Sequence, residues 1–288
     1  MSTWRGVAWL AALCGIIAGT LADRPKPLPP LTLGGYRVLA ADFHLHSSMW
    51  SDGALTPFGL VLEAERQGLD VIAITGHNEL WDAIAGRWLS RHVDGPLVIV
   101  GEEIHTVDHH VIALGLHHTV DFRRPIAEQL DEVHAQGGLA IAAHPTRTYA
   151  PAFDDVLDRL DGTEICHPVI YALHDGQQQL EAFAAEGRFA AIGSSDFHGF
   201  ARLGLCRTYV FATDRTETAV LAAIRARRTV VYGLGGKAYG DPALIRLADE
   251  VPRLREEASA DPSPGLLDWI SRVAGVFGLG GLLLSRRR

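Results

Sequence analysis

The sequence predicts an α/β fold, a distorted barrel of the (β/α)7 type carrying a metal cluster at the C-terminal rim of its strands. Short β-branched runs alternate with amphipathic helical stretches, the pattern of parallel βαβ units rather than of a sandwich. Many of the fourteen histidines fall just beyond those β-branched runs, where a barrel gathers its functional side chains. The length of 288 residues suits one such barrel, with 48% hydrophobic and 21% charged residues, values of a folded chain.

Residues 1–22 contain an uncharged apolar run, Gly6 to Ala22, preceded by Arg5 and followed by Asp23-Arg24-Pro25, the layout of a secretory signal peptide or an N-terminal anchor. Thr20-Leu21-Ala22 offers a weak cleavage site, so cleavage and retention both stay open. Residues 23–30 form a proline-rich spacer, and residues 31–247 are the expected catalytic domain. Within it, strands are expected at Arg37 to Phe43, Asp70 to Thr75, Leu97 to Gly101, His110 to Leu114, Leu139 to Ala143, Thr163 to Cys166, Phe189 to Gly193 and Thr208 to Ala212. Helices are expected at Pro57 to Gln67, Ile126 to Gln136, Gln177 to Glu186 and Glu217 to Arg227, with Gly68 and Gly137 placed as C-terminal caps. Residues 248–265, rich in Glu, Ser and Pro, read as a linker.

Residues 266–288 form an apolar tail ending in Arg286-Arg287-Arg288, like the cytoplasmic flank of a membrane segment. Its charge-free part, Val273 to Leu284, is shorter than the roughly 20 residues a spanning helix needs, so an interfacial helix or a sorting tail competes with a span. These two ends imply an exported protein, periplasmic or membrane-anchored and facing the periplasm or exterior, with membrane association through one or both termini.

The formal net charge of −8 leaves no broad basic surface to follow a nucleic-acid backbone, so no long nucleic acid is expected as a partner. Cys14, Cys166 and Cys206 are too few for a disulfide scaffold, and whether Cys166 and Cys206 pair is undecided by sequence.

In Asp42-Phe43-His44-Leu45-His46, strand alternation puts two imidazoles on one face, and Ser51-Asp52-Gly53 adds a carboxylate in the following loop. His77, Glu103, His144, Asp196 and His198 follow other expected strands, and His110 opens one. A single histidine of this kind is more often structural. Independent histidines, however, have no cause to recur beyond successive buried strands, and clustered His, Asp and Glu imply metal.

The pieces Asp-Phe-His-Leu-His-Ser, Ser-Asp-Gly, Gly-Leu-Asp-Val-Ile-Ala-Ile-Thr-x-His-Asn, Gly-x-Glu-Ile, Ala-His-Pro and Ser-Asp-x-His, in this order from Val38 to Ala243, resemble the PHP (polymerase and histidinol phosphatase) superfamily of metal-dependent phosphoesterases. That resemblance implies His44, His46, Asp52, His77, Glu103, His110, His144, Asp196 and His198 as ligands to two or three divalent ions, Mn, Zn or Fe. It groups His44, His46, Glu103 and Asp196 around one ion, with Glu103 a bridge. Gly76 departs from the family's Asp before the histidine, so a role of that Asp is missing or supplied elsewhere. His105 and His109 compete with His110 through a shift of register, and Glu103 is favoured over Glu102, which is expected to be exposed or to support the ligands.

The implied reaction is hydrolysis of a small phosphorylated substrate by a metal-activated hydroxide, with Arg147 or Arg202 as a guanidinium for the phosphoryl oxygens. For either Arg a surface salt bridge is the plainer alternative. A metal hydrolase of another bond, amidohydrolase-like, and a non-catalytic metal-binding envelope module are the competing readings.

Overall fold

In a computed structural model, residues 3–22, 29–93, 95–199, 201–259 and 266–285 are described. The elements in order are α1 (Thr3–Ala22), β1 (Leu31–Leu33), β2 (Tyr36–Asp42), α2 (Pro57–Arg66), β3 (Val71–Ile74), α3 (Trp81–His92), β4 (Leu97–His105), β5 (His110–Leu114), α4 (Ile126–Ala135), β6 (Leu139–Ala142), β7 (Gly162–Cys166), α5 (Pro168–Tyr171), α6 (Gly176–Ala184), β8 (Ala190–Gly193), β9 (Thr208–Ala212), α7 (Glu217–Arg225), β10 (Thr229–Tyr232), β11 (Ala238–Gly240), α8 (Pro242–Asp249), α9 (Pro252–Ser259) and α10 (Leu266–Ser285). The chain divides into two compact units, residues 27–260 and the two terminal segments 1–26 and 261–288.

The larger unit is built on one mixed sheet in the order β11-β10-β9-β2-β3-β4-β5-β6-β7-β8. Ten strands wind through 336° about an axis, a nearly closed barrel. All eight expected strands are present to within a few residues. The barrel is less regular than a run of βα units, because β4 and β5 pair antiparallel as a hairpin, β5 and β6 antiparallel again, and β9 runs antiparallel to both β2 and β10. The four-residue turn between His105 and His110 is too short for a crossover helix, which forces the antiparallel pairing there.

The strands are buried on both faces. Leu39, Val71, Ile99, Ile112, Ile141, Ile192 and Val210 belong to one cluster, and Leu60, Ile72, Val100, Leu130, Phe153 and Phe211 to another. Thr56 caps α2 by accepting from Gly59 N–H, and Thr216 does the same for α7 from Ala219 N–H. Gly68 and Gly137 lie at φ 67° and 80°, the left-handed residues that end α2 and α4. Helix α3 was not among the expected helices.

The C-terminal boundary of the catalytic domain changes. The stretch 248–265 is not simply a linker: α9 is a helix whose Leu254 and Ala258 join the main core, and Leu254 carbonyl accepts from Tyr209 Oη at 2.6 Å. The catalytic unit therefore extends to residue 260 rather than ending at 247. The tail begins at Leu266 as expected, but its helix runs through Asp268 and Arg272 to 20 residues, longer than the charge-free part from Val273 to Leu284. Residues 23–28 of the proline-rich spacer lie outside the described residues.

Cys166 at the end of β7 and Cys206 before β9 are joined by a disulfide, their Cα atoms 5.4 Å apart. This settles the pairing that the sequence left undecided.

Because Leu254 is 3% exposed within the core, Leu254→Ala in a chain of residues 27–260 should cost about 2–5 kcal/mol in urea unfolding. A chain stopped at residue 247 should lose cooperative unfolding. Equal stability of the two lengths would return α9 to the status of a linker.

Candidate metal centre

The rim converges because the sheet ladder continues past the strand ends. His46 N–H donates to Phe197 carbonyl at 3.2 Å and Phe197 N–H to His44 carbonyl at 3.3 Å, so the segment after β8 lies beside the segment after β2. In the same way Asn78 N–H donates to Glu103 carbonyl and Glu103 N–H to Gly76 carbonyl, setting His77 beside Glu103. Asp42, fully buried, accepts from Ser195 N–H at 3.1 Å and Gly204 N–H at 2.8 Å, which pins the Asp196 loop to β2. Gly53 packs on the His46 carbonyl, where any Cβ would collide, and this lets the loop bearing Asp52 fold back over the rim.

Four donor atoms face one another at the centre. Glu103 Oε2 lies 3.4 Å from His44 Nε2 and 3.5 Å from His46 Nε2, and Asp196 Oδ1 lies 3.3 Å and 3.1 Å from the same two nitrogens. Four ligands about 2.1 Å from a tetrahedral ion would stand about 3.4 Å apart. His44 Nε2, His46 Nε2 and Asp196 Oδ1 are buried without a hydrogen bond, the signature of donors aimed at a common cation.

Two further groups flank this one. Glu103 Oε1 lies 2.8 Å from His110 Nδ1 and 3.3 Å from His144 Nε2. Asp52 Oδ1 lies 3.3 Å from His77 Nε2 and 3.1 Å from His198 Nε2. The nine sequence-nominated ligands thus stand in overlapping groups that could hold metal ions, and the two oxygens of Glu103 face different ones. His144 and Asp196 sit at φ 28° and 46°, strained backbone concentrated where the ligands turn inward.

The contacts bear on several competing assignments. His109 is engaged by Gln129 Oε1 at 2.9 Å, whereas His110 faces Glu103. His105 packs against His110 with ring centres 3.9 Å apart and planes tilted by 38°, and also stands within ligand distance of His77 and Glu103. Glu102 is neither exposed nor a support for the ligands. It is fully buried, accepts from Val120 N–H at 2.7 Å, and has its other oxygen without a hydrogen bond. Beside Gly76, the space of a side chain is taken by Glu79 Oε1 and Asp82 Oδ2, so carboxylates reach that position from the following turn and α3.

Sequence reasoning missed Glu164 and His167. Glu164 is fully buried in the middle of β7, with Oε1 3.0 Å from His44 Nδ1 and Oε2 accepting from His144 N–H at 2.6 Å. The His44 contact fixes the Nδ1–H tautomer and leaves the Nε2 lone pair for an ion. His167 Nδ1 accepts from Ile170 N–H, so Nε2–H donates to Asp196 Oδ2 at 3.1 Å and leaves Oδ1 directed into the centre. His198 Nδ1 lies 3.0 Å from Asp196 carbonyl, which frees its Nε2 toward Asp52. A glutamate inside an otherwise apolar strand was the available signal for Glu164.

The charges are arranged for a cation. Burial works against charge on His44, but Asp196, Glu103 and Glu164 outweigh it and raise its pKa well above the ordinary range. Burial likewise opposes ionised Glu103 and Asp196, yet the imidazoles, His44 foremost, hold both carboxyls well below theirs. His46 is pushed down to about 4 by burial and stays a neutral ligand.

The two nominated arginines are not drawn into this cluster by their described contacts. Arg147, exposed on the loop after His144, pairs with Asp175 at 2.6 Å. Arg202 donates to Gln67 Oε1 and to Glu257 carbonyl, tying α2 to α9.

Known proteins were compared with the whole chain. Residues 177–229, which include Asp196 and His198, match a family model described as PHP-associated. An uncharacterised protein of Methanocaldococcus jannaschii is 30% identical over 142 residues, 44% of this chain and 81% of that protein. A crystal structure of a two-domain protein from Bacteroides vulgatus, containing a predicted PHP-like metal-dependent phosphoesterase, superposes with a TM-score of 0.62. The superposition covers 79% of this chain and 74% of that one at 24% identity, a likeness of fold.

Glu164→Gln should weaken metal binding about 10- to 100-fold, measured by competition with a chromogenic chelator. An unchanged affinity would reduce Glu164 to a packing residue. Glu102 gives a separate test, because burial raises its pKa to about 7. The native state then holds this proton more tightly than the unfolded chain, so stability falls as pH rises from about 4.5 to 7. Glu102→Gln should flatten that decline in the melting temperature of metal-free protein, and a decline of the same slope would contradict the assignment.

Proposed function

The chain belongs to the PHP superfamily, and from that footing we propose that it is a metal-dependent hydrolase of phosphoesters acting on a small phosphorylated substrate. The observation that carries this reading is the sharing of Glu103 between two donor groups, with a third around Asp52 on the same rim. Ions held in such adjoining donor groups would suit the non-bridging oxygens of a phosphoryl group. When bound, such ions supply an activated water and neutralise charge on phosphoryl and leaving oxygens. The imidazole-rich donor set suits Mn, Zn or Fe.

The remaining roles fall to the chain's own side chains. His44, His46, Glu103 and Asp196 would hold one ion, His110 and His144 a second beside Glu103, and Asp52, His77 and His198 a third. Glu164 and His167 fix the orientation of His44 and Asp196 before substrate arrives, so the site needs little reorganisation. Arg147 is the guanidinium that meets the phosphoryl oxygens, exchanging its exposed pairing with Asp175 for a bidentate one with substrate. The net charge of −8 disfavours a long nucleic acid as substrate.

Two terminal helices, Thr3–Ala22 and Leu266–Leu284, are long and apolar enough to cross a membrane. We infer that the protein is exported and works at a membrane facing the periplasm or exterior, where a disulfide such as Cys166–Cys206 persists.

Elemental analysis of the purified full chain should find two or more metal equivalents, and phosphate release from aryl phosphates or nucleotides should vanish in His44→Ala, Asp196→Ala. Arg147→Ala should retain metal while kcat/KM falls about 10- to 100-fold, the loss of one charge-assisted contact. A metal-loaded protein inert toward both monoesters and diesters would overturn the phosphoesterase reading in favour of hydrolysis of another bond.

A further inference from the structure

The terminal unit is packed in the reverse sense of a water-soluble helical hairpin. Its two helices run antiparallel, with Gly19 against Ser271, Gly15 against Gly275, Ala12 against Gly278 and Ala8 against Gly281. The approach is close enough that a Cβ on Gly15 would lie 2.7 Å from Gly275 N and 3.0 Å from its Cα. Small residues therefore occupy the contact, at spacings of three and four along both helices.

The large aliphatic residues point the other way. Leu10, Leu13, Ile16 and Ile17 of α1 and Val273, Val276, Leu279 and Leu283 of α10 are all exposed. In water a helix pair buries such residues and leaves the small ones outside. In lipid the acyl chains solvate the aliphatics, and close backbone packing of small residues holds the helices together.

Length and ends agree with this. Each helix has 20 residues, about 30 Å, the thickness of a bilayer's hydrocarbon core. Trp4 and Trp269 mark opposite ends of the pair, as interfacial aromatics do. Asp268 and Arg272 lie in the first two turns of α10, and Arg272 lies over the Trp269 ring, within reach of the interface.

Resting on the membrane reading above, we propose that α1 and α10 cross a phospholipid bilayer together as a permanent antiparallel pair. Helix α1 is then a retained anchor rather than a cleaved leader, and α10 a span rather than a sorting tail. Because α1 ends and α10 begins at the same end of the pair, the intervening chain emerges on one side of the membrane. In the sequence, the four basic residues Arg5 and Arg286 to Arg288 flank one end of the pair and Arg24 and Lys26 the other, an excess that favours the first end as the cytoplasmic one. The disulfide agrees, assigning the intervening chain to the oxidising side.

The test uses the full chain expressed in bacteria, in a Cys14→Ser background. Intact mass should include both helices, and the protein should stay with the membrane through an alkaline carbonate wash. Ala8→Cys with Gly281→Cys should cross-link within one chain in membranes, whereas Leu10→Cys with Leu279→Cys, on the lipid-facing sides, should not. A mass lacking residues 1–22 or the C-terminal helix, release by carbonate, or failure of the 8/281 pair to cross-link more than the 10/279 pair would each overturn the proposal. None of these readouts involves turnover, so failure of the hydrolase reading would leave the anchor standing and the reverse.

Discussion

The barrel mouth buries two carboxylates, Glu103 and Glu164, and largely covers a third, Asp196, against His44, and everything around them is organised by the need to neutralise that charge. Ionised carboxylates are costly away from water unless paired and hydrogen-bonded. Here Glu164 is satisfied by His44 and a backbone N–H, while Glu103 and Asp196 direct oxygens into a space where histidine nitrogens also point. Donors of both kinds facing a common centre are balanced best by cations. The same arrangement that costs folding energy in the metal-free chain supplies a preorganised site when metal is present.

The irregular sheet serves this centre. Parallel pairs β2–β3 and β3–β4 bring their carboxyl ends to one rim, and the antiparallel β4–β5 hairpin carries Glu103 and His110 toward each other across one pair of strands. A strict βα repeat would have separated Glu103 and His110 by a helix. Bridges beyond the strand ends, at Leu45 with Phe197 and His77 with Glu103, then fix the loops that hold the remaining ligands. Asp42 and His167 act one layer further out, by holding the Asp196 loop and the Asp196 carboxylate.

Much of this was legible in the sequence because the signals were local. Eight strands announced themselves as apolar β-branched runs, and the ligands as His, Asp and Glu just past them. The misses have physical causes. Strands β1 and β11 have three residues each, too few for a period to show. Helix α9 reads PRLREEAS, so its charged surface concealed the two residues, Leu254 and Ala258, that reach the core. Glu164 and His167 lie outside the matched motifs and act through partners distant in sequence, Glu164 on His44 and His144 and His167 on Asp196. The length of α10 was hidden because Asp268 and Arg272 interrupt the apolar run without interrupting the helix.

A crystal structure of the metal-loaded protein with anomalous data collected at the metal edge addresses the central claim most directly. The account predicts an anomalous peak enclosed by His44 Nε2, His46 Nε2, Glu103 and Asp196, with a second on the far oxygen of Glu103 beside His110 and His144. A fully loaded crystal with no peak at the first position, or with Glu103 bound to no ion, would contradict it.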